Sequence, residues 1–585
     1  MKKLTYAEVD GMRSSLRNEL SKKLPTWQLL ANYIAPERYK MNPDDKHNSY
    51  RKDRNIIKNQ AGRSLRTFVS GMMNGATPRS RPWFNLTVNN TRKANSAAAK
   101  RYFSEAESIL NSHFQVSNLY RILPLAYKDV GIFSNSAFAM LPHPRYGFYF
   151  YPFAIGTYAF ACDAEGNTNM FTRDFSMTTR QIVEQYAKLT PSGQIDWSNI
   201  PSHVKKNWDA AKYLETSVLT TVILPNPTYN PNKPSVDPLD KKYQSYTYLQ
   251  AVGANLPPQS SSGFRNELSL GEKEFIKTSG YDYFPVITPR WEVAPEENYG
   301  VDGPGEIALS DIMTLQEMEK FRLEAIAKLV KPPMVGHASL RRHQASILAG
   351  GITYVDDQGA AAGFKPAFTM DPKLSELIAD QMEYTQAIRS AFYEDLFLMM
   401  SGQESKSHIT AAEINEKASE RMATLAPVLG QWDQDLSSKI IQNAQIILEQ
   451  AGRMPVKPAE LEGEQLRPEY ISILAQAAKV SMMNSLERFA NYTTSMAQSQ
   501  QDPALLKLLN GEAAIRKYAD YVAIDPTLIL DEDEFRAVRE GIAMQQQQQA
   551  AMQQQMQSAA MAKDLSSAKV GEGSMLDTML TASKV

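Results

Sequence analysis

Residues 306–330 read EIALSDIMTLQEMEKFRLEAIAKLV, and the spacing of their apolar side chains decides the architecture. Ile312, Leu315, Met318, Phe321, Ala325 and Leu329 recur at three- and four-residue steps, while Asp311, Glu317, Lys320, Arg322, Glu324 and Lys328 lie mostly off that stripe, the pattern of an amphipathic helix. Gly300, Gly303, Pro304 and Gly305 precede the run and Pro332-Pro333 closes it, so local chemistry sets both ends. At about 1.5 Å per residue the helix is ~38 Å long, enough to act as a strut. Glu324 and Lys328 stand in acid-before-base order one turn apart, which adds only a few tenths of a kcal/mol.

A second helix is predicted from Asp371-Pro372, an N-cap acid followed by proline at the first helical position, where the missing N–H costs nothing. Leu374, Leu377, Tyr384, Ile388 and Phe392 continue its packing stripe to about Met400. The polar loop SGQESKSH at 401–408 follows, too polar to bury. Thr410 and Glu413 then form a capping box, with Ile409 and Ile414 in the staple positions. From Ile414 one apolar stripe runs through Met422, Leu429, Trp432, Leu436, Ile440 and Ile447 until Gly452 stops it, and Pro427 predicts a kink within this long helix. A strand-prone segment, 331–371, lies between the first two helices.

Around this centre the chain changes character. Residues 1–130 read mainly as helices: an amphipathic opening through Leu30, a charged loop at 42–54 and a helix over 55–74. From about Ser136 the pattern becomes aromatic and β-branched, with strands flanking the turn-like DAEGN at 163–167, further strands at 216–224 and 243–252, and a last one at 281–293. The Pro/Asn-rich stretch 225–238 and the Pro/Ser/Gly-rich 256–264 cannot extend a ladder. Helices return after Pro468, at 485–498 and 503–522. Gln545–Gln549 and Gln553–Gln555, spaced by Ala and Met, form a low-complexity end with two readings: a disordered tail, or a helix that forms when identical copies bundle. The fold class expected is therefore α+β and predominantly helical.

A chain of 585 residues exceeds one core, and 43% apolar content is ample for burial. With 63 basic and 64 acidic residues the formal charge is −1, which argues against gripping nucleic acid through a large basic surface. One cysteine, Cys162, excludes an internal disulfide framework and any multi-cysteine zinc site. The polar start MKKLTYAE and the lack of any run of ~20 apolar residues predict neither a signal peptide nor a membrane span.

Catalytic signatures are missing. There is no phosphate-binding G-x-x-x-x-G-K-[ST] loop, no H-E-x-x-H and no G-x-S-x-G, so no motor ATPase of standard construction and no cofactor site is expected. The seven histidines lack metal-ligand spacing. The acidic run DEDE at 531–534 reads as the solvated start of a helix, favoured by its dipole. Lys331 with Arg341, Arg342 and His343 makes a small basic cluster between the struts.

Several stretches, in consistent order, resemble the portal, or head-to-tail connector, proteins of short-tailed bacteriophages. AGRSLRTFVSGMM at 61–73 followed by Pro82-Trp83-Phe84-Asn85-Leu86 resembles the family's helix and P-W-F/M-x-L segment. Cys162-Asp163 through Gly166-Asn167, then Phe171-Thr172-Arg173-Asp174, resembles its D-x-x-G-N turn and T-R-D return strand. Tyr299-Gly300 before the first strut, ITAAEI at 409–414 and the Gln/Met-rich end are also similar. The inserts between 225 and 264 depart from the family pattern.

The resemblance implies a ring, usually of twelve copies, at one capsid vertex of the virion, made in the host cytoplasm, through which double-stranded DNA is packaged and ejected. It implies a wing (1–300), stem helices (301–330 and 372–400), a clip (331–371), a channel loop (401–408), a long kinked helix and crown (409–540) and a tail or barrel helix (541–585). Partners would be the terminase large subunit, then tail adaptor proteins, with major capsid and scaffolding proteins around the ring and no membrane. A channel that lets DNA slide needs a wall that releases few counterions, so Lys406, Gln403 and His408 are the candidates for transient DNA contact. Lys331, Arg341, Arg342 and His343 are the candidates for docking at the clip. Two other classes stand beside it: a phage scaffolding or internal adaptor protein working as a monomer or small oligomer, and a metal-dependent nuclease or hydrolase using the carboxylates at 531–534, which no accompanying acid–base constellation supports.

Overall fold

The computed structural model describes residues 4–40, 43, 55–94, 96–191, 193–231, 237–250, 275–330, 334–335, 365–366, 374–400, 430–464, 466–470, 473–500, 510–522 and 532–567. The chain forms two bodies, residues 1–94 with 101–478 and residues 95–100 with 479–585.

In the first body Thr5 caps α1 (Tyr6–Ser21) and the Glu8 carboxylate accepts from Thr5 N at 2.8 Å, a capping box that buries Val9, Leu16 and Leu20 on one face. The amphipathic opening expected through Leu30 is made of two helices. Pro25 in the first turn of α2 (Leu24–Tyr33) has no N–H to continue the ladder from α1. Next, α3 (Gln60–Gly75) starts five residues later than the 55 expected, where the Asn59 side chain accepts from Gly62 N at 3.1 Å. After α4 (Ala97–Val116), helix α5 (Leu119–Phe133) is almost wholly buried and ends at Ser134 in the left-handed conformation.

Strand β1 (Phe84–Val88) precedes the helices α4 and α5, and the sheets follow them. Strands β2 (Phe138–His143) and β3 (Gly147–Pro152) form a hairpin, β4 (Tyr158–Cys162) and β5 (Thr168–Thr178) a second. The turn of the second is the DAEGN expected from sequence: Asp163 Oδ1 accepts from Glu165 N at 3.0 Å and Asn167 N at 2.8 Å, and Gly166 takes φ +79°, a value that suits glycine. With β6 (Thr216–Pro225), β7 (Tyr243–Leu249) and β8 (Lys277–Tyr281) the antiparallel order is β8-β7-β6-β5-β4. The last strand, expected over 281–293, breaks up: β9 (Val286–Ile287) pairs with β2, and Glu292–Val293 pairs with Gly300–Val301. Pro285 and Pro289 bracket β9 and cannot donate to a ladder.

The first strut forms as α6 (Leu309–Val330), preceded by a separate turn over Pro304–Ile307. Beyond it come β10 (Met334–Val335) and β11 (Lys365–Pro366), an antiparallel pair, then α7 (Leu374–Ala391) and α8 (Glu394–Met400). The second strut is thus two helices, not one to Met400. The break is at Tyr393, whose φ is +54°. The long helix is described from Gly430 and ends as α9 (Ser438–Gln450). Gly452 stops it as expected, at φ +63°, with Gly452 N bonding Glu449 O at 3.0 Å and Arg453 N bonding Leu448 O at 2.9 Å, a Schellman motif. Strand β12 (Leu466–Tyr470) pairs with β1, Phe84 opposite Tyr470 and Val88 opposite Leu466, where helices alone were expected after Pro468. The N-cap at 371–372, the capping box at 410–413 and Pro427 lie outside the described residues.

In the second body α10 (Ile473–Gln500) is longer than expected and α11 (Gly511–Val522) is joined to it through Tyr518 Oη donating to Glu487 Oε1 at 2.9 Å. The Gln-rich end is helical in the single chain: α12 (Glu532–Ser567) runs through both glutamine tracts and starts within the acidic run.

Candidate subunit-assembly surface

The paired struts are held to each other by polar groups, not by the apolar stripe alone. Glu319 of α6 accepts from Gln381 Nε2 of α7 at 3.0 Å, and its two oxygens take Arg322 Nε at 3.0 Å and Nη2 at 2.5 Å. The Arg322 hydrogen bonds outweigh the burial of Glu319 and hold its carboxyl below the ordinary carboxylate range. A buried acid satisfied by both neighbours fixes the register of one helix against the other.

The upper half of α6 is rooted in the body. Ile312 and Leu315 are fully buried, and Gln316 Oε1 accepts from Ile57 N at 2.8 Å and Lys58 N at 2.9 Å while its Nε2 donates to Lys58 O at 2.8 Å. Past the left-handed Tyr393, α8 turns against α3. Ser64 Oγ donates to Glu394 Oε2 at 2.6 Å, and the Phe397 ring lies where a Cβ on Gly71 would come within 2.0 Å of it. Gly71 is therefore what lets α3 and α8 approach.

The start of the described part of the long helix is fixed by a buried charge pair. Residues 433–437 form a π-turn, closed by Ser438 N on Asp433 O, and it presents Asp435 to Arg290. Arg290 also donates to Gly166 O at 2.7 Å, so one guanidinium ties the hairpin turn at 163–167 to the helix. Burial pulls Arg290 down, but the Asp435 hydrogen bond and charge outweigh it and its pKa stands raised. Trp432 stacks on Tyr127 of α5 with centroids 5.0 Å apart. Burial pushes the neighbouring Asp433 up to about 7, against the hydrogen bond from Ser437.

Below its root the hairpin keeps large apolar side chains in solvent: Phe321, Leu323, Leu329 and Val330 on α6, Ile378 and Met382 on α7. The expected stripe is buried at Ile312 and Leu315, whereas Phe321 and Leu329 are exposed among the described residues. These six exposed apolar residues lie on one two-helix element.

Lys406, Gln403 and His408, and Lys331, Arg341, Arg342 and His343, all lie outside the described residues, so nothing here places them. Sequence reasoning missed Glu319–Gln381 and Arg290–Asp435. Glu319 and Asp435 sit in helical phase beside apolar neighbours, which is a signal for a buried acid, but a partner 62 or 145 residues away leaves no local trace. Among the described residues no cluster of His, Cys, Asp and Glu could hold a metal ion, and no helix is long and apolar enough to cross a membrane.

The family profile described as bacteriophage head to tail connecting protein matches residues 7–530. This chain belongs to the head-to-tail connecting proteins. A protein of Salmonella phage epsilon15 named portal protein is 30% identical over 569 residues, covering 97% of each chain. A protein of Bordetella phage BPP-1 named probable portal protein is 28% identical over 539 residues, covering 92% of this chain and 91% of its own. A solved chain from the virion of the native gene transfer agent particle overlaps 79% of this chain and 94% of its own, at 10% identity and a TM-score of 0.33, too remote to fix any detail of this fold. In this head-to-tail connecting protein the matched region takes in both struts, the π-turn and the hairpin turn at 163–167.

Proposed function

We propose that the chain is the subunit of a phage portal ring, of twelve copies, set at one capsid vertex and surrounding the channel through which DNA is packaged and ejected. The single observation that carries this reading is the α6/α7 hairpin: a rooted, register-locked pair of helices ending in a two-stranded tip, with Phe321, Leu323, Leu329, Val330, Ile378 and Met382 uncovered in the lone chain. A neighbour on each side would cover both flanks, as a heterologous contact that closes into a ring requires. On this reading residues 1–300 form most of the wing, α6 to α8 the stem, 331–371 the clip that meets the terminase and then the tail adaptor, 401–408 the channel loop and 409–540 the long helix and crown. Residues 541–585 form the tail or barrel helix. Lys406, Gln403 and His408 face DNA transiently, and Lys331, Arg341, Arg342 and His343 serve docking. The role is structural, with no catalytic step assigned to it.

The near-zero net charge supports a sliding wall over a gripping one, since each phosphate neutralised would release counterions and slow passage. Native mass measurement with electron micrographs tests the reading. Annular particles of about twelve chains are expected. A protein that stays monomeric or dimeric at every concentration sinks it.

A further inference from the structure

Strands β5 and β6 carry two sets of polar residues, one on each face of their sheet. On the face that meets α1 the set is complete: Asp174 accepts from Arg13 Nε at 3.0 Å, Arg13 Nη2 at 2.7 Å and Thr220 Oγ1 at 2.7 Å. On the other face a row crosses four strands in register, Arg173 opposite Thr221, Thr221 opposite Thr247 and Thr247 opposite Lys277. The Thr221 and Thr247 hydroxyls stand 2.9 Å apart. This second row has a guanidinium, two hydroxyls and an ammonium but no carboxylate, and among the described residues neither Arg173 nor Lys277 takes part in an ion pair. Arg173 Cζ lies 4.2 Å from the Phe153 ring centroid and 5.0 Å from that of Phe175, and its Nε is enclosed with no hydrogen-bond acceptor. Burial pulls its pKa down to about 10, opposed only by the Tyr186 hydroxyl, so it remains a cation at neutral pH. The two rings offset part of the cost of desolvating a cation that has no counter-ion, and an anion would offset the rest. Tyr186, the last residue of the short helix Thr179–Tyr186, is near enough to interact with both Arg173 and Tyr281, which adds hydroxyls beside the row.

We propose that this row is a binding site for a free phosphate-type oxyanion, held by Arg173 and the Thr221–Thr247 hydroxyl pair, with Lys277 reaching in from the edge strand β8. Within the pair one hydroxyl donates to the other, which leaves the second hydroxyl's proton for the anion. Three strand spacings set the backbones of Arg173 and Lys277 about 14 Å apart, a span that two long basic side chains bridge from its ends over the threonines between them. Donors that arrive from a guanidinium, a hydroxyl and an ammonium suit a tetrahedral anion, whose oxygens point in several directions, better than a planar carboxylate. The bound anion would do for this face what Asp174 does for the other. The site lies wholly within the first body and does not depend on the ring reading.

Titration calorimetry of the full chain with inorganic phosphate, at constant ionic strength set by chloride, tests the assignment. Phosphate also stabilises proteins weakly by exclusion from their surfaces, so saturable binding, compared between parent and variants, is the quantity to read. The parent is expected to bind with a saturable isotherm. Arg173→Met keeps a side chain of similar length against both rings and should abolish that isotherm, while its stability without phosphate equals or exceeds the parent's. Lys277→Gln changes an exposed position and should raise the phosphate Kd roughly fivefold with the fold intact. A parent that shows no saturable binding overturns the proposal, as does an Arg173→Met protein that binds as the parent does. If Arg173→Met fails to fold, Lys277→Gln decides, and an unchanged Kd overturns the site. Displacement of phosphate by a short duplex oligonucleotide would make nucleic acid the occupant and overturn the assignment to a free ion.

Discussion

Arg290 and Asp435 meet through two hydrogen bonds, Nε to Oδ2 at 2.8 Å and Nη2 to Oδ1 at 3.1 Å, with 145 residues between them and both side chains buried. The pair welds the β-rich part of the first body to the π-turn of the long helix, so its integrity decides where that helix points. Removing one partner leaves an uncompensated buried charge, and Arg290→Ala is expected to lower stability by about 3–5 kcal/mol. The double change Arg290→Met with Asp435→Leu removes both charges and should recover much of that loss. Urea unfolding of the two variants beside the parent checks both statements, and equal losses for the single and double variants would contradict them.

Glu107 on α4 should make stability fall as pH rises. Burial pushes its carboxyl up to about 7 from an ordinary 4.5, opposed by the hydrogen bond from Leu86 N. The unfolded chain releases this proton near 4.5 while the folded chain holds it to about 7, so the unfolded state binds fewer protons between those values and the folded state is favoured progressively less. Glu107→Gln keeps an acceptor for Leu86 N and removes the titration. It should match the parent near pH 4 and exceed it by roughly 1–3 kcal/mol above pH 7. Thermal unfolding across this range is the measurement, with an unchanged pH slope as the contrary result.

Gly71 should tolerate no side chain while Phe397 is present. A Cβ there would fall 2.0 Å from Phe397 Cδ1, inside the contact between α3 and α8. Gly71→Ala is expected to cost about 1–3 kcal/mol despite the better helix propensity of alanine, and pairing it with Phe397→Leu should return part of that. A melting temperature for Gly71→Ala equal to or above the parent would show that the ring moves aside freely.

Phe321 separates folding from assembly. It is 59% exposed in the lone chain, so Phe321→Asp should change the stability of the monomer by no more than about 0.5 kcal/mol. On the ring reading, a charge placed on this exposed part of α6 should nonetheless shift the protein from large particles to single chains. Circular dichroism and mass photometry on one sample read the two effects, and rings at the parent's yield would remove Phe321 from the subunit contact.

Much of the frame was legible locally. The helical phase of 306–330, the DAEGN turn and the stop at Gly452 each depend on residues within one or two turns of each other, and each formed as expected. Where expectations missed, a distant partner was needed, as with β12 on β1. The break at Tyr393 has no marker at all, since a tyrosine in the left-handed region is dictated by the packing of α8 on α3, not by its own preference.

The sequence by itself determined the two amphipathic struts, the end of the long helix and the near-zero net charge, because periodicity, capping and net charge are properties of neighbouring residues or of simple sums. Only the tertiary structure decided which acids are buried and by what they are held: Glu319 by Arg322 and Gln381, Asp435 by Arg290. It also decided which half of the α6 stripe is core and which half is exposed. Burial depends on what the rest of the chain brings alongside, and an apolar stripe reads the same in sequence whether its cover comes from its own chain or from the next.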